Sequence, residues 1–219
     1  LANAQSNWFT PGIAQVLANE GRLVIAPDLR GHGRSAASPS ESSAWRADAL
    51  VDDQLHMIQA LGLTDYDLVG YSLGARTAAR MLVRGARPAR CVLGGMGASG
   101  ILEAGDRAAM FEDAIRNGEN AKDPRAGRRI QRMLTEGGLS AAAMLGVLAS
   151  FVPTTWADLA AIPVERLSGV GPKKLDGLHK LGIDSLLDLL THYPRRYLDR
   201  TNQAKVRDLR PGEEGLVRA

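Results

Sequence analysis

At 219 residues, with 45% apolar and 23% charged residues, the chain has a globular composition with room for one large domain or two smaller ones. A single cysteine, Cys91, excludes an intrachain disulfide and a cysteine-rich metal site, and the longest apolar-rich stretch, residues 141–152, is too short to span a bilayer. Net charge is +3, but residues 163–219 hold 11 basic and 8 acidic side chains while the remaining 162 residues are balanced at 16 of each, so all the excess sits where a polyanion contact would gain most.

In chain order, residues 9–19 read as a helix with Phe9, Ile13, Val16 and Leu17 on one stripe. Leu23-Val24-Ile25-Ala26 reads as a buried strand, ended by Pro27 and the glycines of Arg30-Gly31-His32-Gly33. A Ser/Ala/Pro-rich loop over 35–43 precedes a helix of about 46–61 whose apolar face is Leu50, Leu55, Ile58 and Leu61. Asp67-Leu68-Val69 is a short strand, residues 73–84 a helix rich in alanine and arginine, and Arg90 to Leu93 another strand holding the Cys91 thiol in an apolar run. Strands separated by helices imply parallel pairing and an α/β layer structure. From Asp106 to Leu148 the pattern changes to consecutive helices with breaks at Asp123-Pro124 and Gly137-Gly138, which suits either a lid (about 106–150) or a small helical subdomain with no gating role.

Gly70-Tyr71-Ser72-Leu73-Gly74 lies between the second strand and its helix. A G-x-S-x-G turn from strand into helix needs small residues on either side of the serine, and the sharp bend presents the serine Oγ clear of the sheet. Helix entry after Ser72 also aims free N–H groups at a developing oxyanion. With 24 glycines in the chain the pentapeptide alone is weak; its strand and helix context gives it weight.

The run from Val24 to Ser35, the phrase Leu61-Gly62-Leu63, and the phrase from Tyr66 to Gly74 together resemble the α/β-hydrolase family of serine hydrolases over about residues 1–162. The resemblance implies hydrolysis of a carboxylic ester or a related acyl or C–C bond in a small-molecule substrate, with Ser72 as nucleophile and the Leu73 backbone N–H as one oxyanion donor. It also implies elements this sequence does not supply. The family's His-Gly-type loop, with its second oxyanion donor, precedes the first helix, and here the chain starts at Leu1 without methionine, which reads as a fragment. Trp156 to Pro163 resembles the lead-in to the acid-bearing strand, but that strand does not follow, nor does the family's histidine. His32 is the remaining candidate base, against a structural role in its turn; His56 reads as a helix-surface residue, and Glu103 and Asp106 have no base to orient. A serine without its base is expected to lose roughly six orders of magnitude in turnover.

From about Pro163 the chain changes character. Val164 to Leu167 makes a short helix, Ser168-Gly169-Val170-Gly171 a hairpin, and Pro172 the first position of a helix reaching Leu181. Glycines let a backbone approach a phosphate, the helix start offers N–H donors, and Lys173 and Lys174 add charge, a chemistry that reads phosphate and not base sequence; a tight structural turn is the alternative. With Leu181-Gly182-Ile183, Asp188-Leu189-Leu190 and Tyr193-Pro194-Arg195-Arg196-Tyr197, this segment resembles the wedge region of the RecG helicase family over about 163–219, and Val206 to Ala219 resembles the first strand of that family's OB-type barrel. The resemblance implies sequence-independent contact with the phosphates of branched DNA through Gly169, Gly171, Lys173, Lys174, Arg195 and Arg196. It does not carry helicase activity, since no Walker-type G-x-x-x-x-G-K-[ST] occurs.

The expected architecture is therefore a partial parallel α/β-hydrolase sheet of about three strands with a helical lid, then a helix-hairpin-helix segment and the start of a barrel. Ile162-Pro163-Val164 fits both sides of the join. No cofactor, metal or membrane partner is expected, the expected location is the cytoplasm, and open sheet edges threaten stable folding.

Overall fold

The computed structural model describes residues 3–35, 42–102, 104–167 and 170–192. Glu103, Gly169, Arg195, Arg196 and the expected barrel strand from Val206 lie outside the described residues.

Strand β1 (Asp67–Tyr71) and strand β2 (Arg90–Gly94) pair in parallel, Asp67 opposite Arg90 and Tyr71 opposite Gly94. Parallel neighbours need a crossover, and helix α3 (Leu73–Val83) supplies it directly after β1. The alanines of α3 let it lie close to the strands: Ala75, Ala78 and Ala79 are buried, with Met81 beneath them. Helix α2 (Ala49–Ala60) packs beside α3 and buries Ala49, Leu50 and Val51.

The strand expected at 23–26 does not form. Among the described residues no strand flanks it, so its amides and carbonyls have no ladder to join, and Leu23 is left 86% exposed. The described sheet therefore has two strands where three were expected. The helix expected over 9–19 is also divided. A π-helical turn, Gln5–Phe9, is separated from helix α1 (Ile13–Asn19) at Pro11 and Gly12, the latter at φ 81°, and of α1 only Ala14 is buried. Phe9, Ile13, Val16 and Leu17 accordingly stay exposed instead of forming a core stripe.

After β2 come helices α4 (Ala98–Leu102), α5 (Ala104–Asn117), α6 (Pro124–Gly137) and α7 (Ala141–Ala149). The start of α6 is set by Asp123, whose carboxylate accepts from the amides of Arg125 and Ala126, and by Pro124 at the first position; its end is set by Gly138 at φ 63°. Helices α5 to α7 meet α2 in the main core, built from Trp45, Leu50, Ile115, Ile130, Met144 and Val147, with Leu29 and Leu73 leaning on it. Ile130 and Met144 are essentially fully buried, each stabilising the fold by about 1.5–3 kcal/mol relative to exposure.

A second, smaller core spans the join. Helices α8 (Trp156–Ala160), α9 (Pro172–Lys180) and α10 (Leu186–Thr191) follow, and Leu82 of α3 packs with Leu159, Ile162 and Leu186. Val164 is fully buried, its amide donates to Asp184 O, and the Leu186 amide donates to Ile162 O at 2.7 Å. Both α8 and α10 begin with a capping box, Thr155 with Asp158 and Ser185 with Asp188. The hydrogen bonds of those caps hold both carboxyls below the usual aspartate range. Among the described residues no helix is long and apolar enough to cross a membrane.

Candidate functional site

Ser72 ends β1 and opens α3 at φ 52° and ψ −112°, one of two non-glycine residues with positive φ among the described residues. That conformation is disfavoured for a residue with a Cβ, and side chains persist in it only where the surroundings over-determine them. Here the constraint is visible on both sides. The Ser72 amide still donates to Gly94 O at 2.9 Å, continuing the sheet, while its carbonyl already accepts from Ala75 and Arg76, beginning the helix. One residue belongs to both elements, so the chain turns within it.

Gly70 explains how the turn closes. A Cβ there would lie 2.3 Å from Gly74 O and 2.7 Å from the Ala75 amide nitrogen, so helix and strand pack backbone to backbone. Gly74 is different: an added Cβ meets nothing within 4 Å, so the expected clash exists on the near side of the serine and not on the far side.

The hydroxyl of Ser72 is half-buried and makes no capping hydrogen bond to its own helix. The amides of Leu73 and Gly74 open α3, where helical geometry provides no intrahelical acceptor, and so they point outward as donors. Helix polarity adds a positive potential at the same place.

His32 does not hydrogen-bond Ser72. It is buried, with Nδ1 3.1 Å from Arg30 O, which makes Nδ1 the protonated nitrogen; Nε2 is buried with no partner among the described residues. Burial holds its pKa below the usual histidine value. The ring sits in a turn organised by its neighbours. Asp28 accepts from the Ala4 and Arg34 amides, and Arg30 forms a fork on Asp53 of α2 through Nε at 2.8 Å and Nη2 at 2.5 Å, with Nη1 on Ala44 O. His56 is exposed on α2, His192 is exposed, and His179 of α9 lies 3.7 Å from both Glu165 and Asp184. Burial pushes the Cys91 thiol up to about 11, so it is not a thiolate at neutral pH.

The hairpin residues fall partly within view. Gly171 caps α9 at φ −82°, Pro172 holds the first helical position, and Lys173 and Lys174 lie exposed on the first turn. No group of three or more metal-ligating side chains occurs among the described residues.

Missing from the sequence reading was a charge network behind the elbow. Asp48, 7% exposed and itself at φ 60°, accepts from Arg80 Nε at 3.1 Å and from Arg84 Nη1 at 2.8 Å. Arg84 also reaches Asp52 at 3.2 Å, and Arg80 lies 3.8 Å from Asp158. The signal was Arg76, Arg80 and Arg84 at four-residue spacing, which lines one helix face. This face also walls a cavity of about 10 Å³ between Asp48, Arg76, Arg80 and Phe151, enough for one water; Ser72 is not among the residues lining it.

β1, the strained serine turn and α3 make a strand–turn–helix unit, with β2 paired in parallel beside β1. Residues 2–96 match the family described as alpha/beta hydrolase fold, and residues 163–219 match the RecG wedge domain, so the chain joins segments of two families. Among curated proteins, the ATP-dependent DNA helicase RecG of Pasteurella multocida is 49% identical over 63 residues, 27% of this chain and 9% of that protein. RecG of Thermotoga maritima is 47% identical over 51 residues, 23% of this chain and 6% of its own length. Epoxide hydrolase 2 of Siraitia grosvenorii is 42% identical over 62 residues, 28% of this chain and 19% of that enzyme. The chain thus spans less than a tenth of these helicases and about a fifth of the epoxide hydrolase. No solved structure matches it significantly.

Proposed function

We propose that residues 1–162 carry the nucleophile turn of a serine hydrolase acting on a carboxylic ester or a related acyl or C–C bond, and that in this chain the turn lacks its proton acceptor. The observation that carries the reading is the Ser72 backbone at φ 52° and ψ −112°, held between a sheet amide bond to Gly94 and the first turn of α3. In this reading Ser72 Oγ attacks the substrate carbonyl while the Leu73 N–H stabilises the oxyanion. Proton removal is the step without a residue: among the described residues none of the four histidines hydrogen-bonds Ser72, and the acceptor nitrogen of His32, Nε2, is buried without a partner. Helices α5 to α7, which cover the side of the core that Leu73 leans on, would take the place of a lid.

The test is p-nitrophenyl acetate hydrolysis by the wild-type chain beside Ser72→Ala and His32→Ala. Equal slow rates in all three fit this reading. Turnover abolished by Ser72→Ala alone would mean that another group activates the serine, and loss in both variants would assign His32 as base.

A second reading has its own support. Residues 163–219 would bind DNA phosphates without sequence preference through Gly169, Gly171, Lys173, Lys174, Arg195 and Arg196. At φ −82° and with no described residue within 4 Å of an added Cβ, Gly171 leaves room for close approach of an outside backbone. Binding to a forked duplex that ignores salt, or that survives Lys173→Ala with Lys174→Ala, would remove this reading.

A further inference from the structure

Helix α6 divides its residues sharply between two faces. Ala126, Gly127, Ile130 and Leu134 are buried, the last two in the main core, and Arg125, Arg128, Arg129 and Arg132 are exposed on the opposite side. At 100° per residue the four arginines fall within an arc of about 100°, and they extend about 10.5 Å along the axis. None of the four guanidiniums forms an ion pair or hydrogen bond with another described residue, although carboxylates are at hand. Asp123 is turned into the helix cap, and Asp113 accepts from the amide of Lys122 and the side chain of Asn117. A solvated face of this kind ordinarily mixes both signs. This one concentrates four positive forks against one carboxylate, Glu136 a turn beyond Arg132, in a segment of the chain whose overall charge is zero.

We infer that the arginine face of α6 is a contact surface for the phosphate backbone of duplex nucleic acid. Guanidinium forks match phosphate oxygens two at a time, and four in a row suit a linear polyanion carrying one charge per about 1.7 Å of axis. An anionic membrane fits less well. A helix that lies on a bilayer inserts an apolar face, and the apolar face of α6 is already occupied, with Ile130 fully buried and Leu134 nearly so. The exposed positions of α6 are Pro124, the four arginines, Thr135 and Glu136, with no aromatic or large aliphatic side chain to anchor either a bilayer or a protein partner. The choice of nucleic acid over an acidic protein rests also on the DNA reading of residues 163–219. The arginine face itself lies outside both matched family segments.

The experiment measures fluorescence anisotropy of a labelled ~20-bp duplex with the full chain, between about 50 and about 200 mM salt. Four chains are compared: wild type, Arg125→Gln/Arg128→Gln/Arg129→Gln/Arg132→Gln, the same four changed to Lys, and Lys173→Ala/Lys174→Ala. Glutamine keeps helix propensity at exposed sites, and circular dichroism checks the fold. The glutamine variant is expected to lose about tenfold or more in affinity and about three units of salt slope, with most of the affinity kept by the lysine variant. Loss in the α6 variant with no loss in Lys173→Ala/Lys174→Ala would uphold α6 and reject the hairpin reading; the converse would reject α6 and keep the hairpin. An unaltered glutamine variant, no binding by wild type at about 50 mM salt, or stronger binding to phosphatidylserine vesicles than to duplex would each overturn the proposal.

Discussion

Gly70 and Gly74 face each other across the strand-to-helix turn so closely that a Cβ on Gly70 would come within 2.3 Å of the Gly74 carbonyl oxygen, whereas a Cβ on Gly74 would touch nothing within 4 Å. Two glycines that look equivalent in G-x-S-x-G therefore do different things. Gly70→Ala is expected to destabilise the chain by about 1–3 kcal/mol, because strand and helix must move apart. Gly74→Ala lies within α3 and is expected to be neutral or stabilising by up to about 1 kcal/mol. Thermal melts of the two variants check both signs.

Ser72 occupies a conformation that suits glycine. Ser72→Gly is expected to raise stability by about 1 kcal/mol, the lower end of what such backbone strain costs, and Ser72→Ala to change it little. Denaturant midpoints at unchanged m-value give the comparison. A glycine variant no more stable than the alanine variant would mean that the turn carries no strain.

How much of this was legible in sequence depends on how local the cause is. The elbow was readable because five residues and the elements next to them determine it. The strand expected at Leu23 to Ala26 was not, since apolar residues set the propensity of a strand but only a neighbour satisfies its backbone groups. The same holds for Phe9, Ile13, Val16 and Leu17, whose spacing is helical but whose stripe finds no facing surface and is interrupted by Pro11 and Gly12. The Asp48 network brings together residues 48, 52, 80, 84 and 158, a meeting no linear motif announces. The expected change of character at Pro163 is visible in the residues, yet Leu82, Ile162 and Leu186 share one core across it.

Asp48 is nearly buried while Arg80 is mostly covered and Arg84 well exposed. Asp48→Ala strips two guanidiniums of their shared acceptor and puts alanine at φ 60°. Discounted for the exposure of Arg84, the expected cost is about 2–3 kcal/mol. Asp48→Asn, which keeps the acceptor oxygen and tolerates the left-handed backbone, should cost less. Equal melts for the two variants would count against the network.

The pH dependence of His32 has a definite sign. Burial lowers its pKa in the folded chain, so the unfolded chain binds more protons between that lowered value and about 6.5, and stability rises with pH through this window. Read downward, stability is lost as pH falls below about 6.5, because charging Nε2 places a cation where it has no partner among the described residues. His32→Asn, with an amide able to serve Arg30 O, is expected to flatten the loss. Melting temperatures at about pH 7.5 and about pH 5.5 for both chains provide the check.

Ser72 is proposed as a nucleophile with no base to activate it, and phosphonofluoridate labelling reads its activation directly. The wild-type chain is incubated with the probe beside Ser72→Ala, and adducts are counted by intact mass and placed by peptide mapping. No adduct on Ser72 above the level in the alanine variant is expected. Stoichiometric labelling at Ser72 would contradict it and show that the chain completes its own catalytic site.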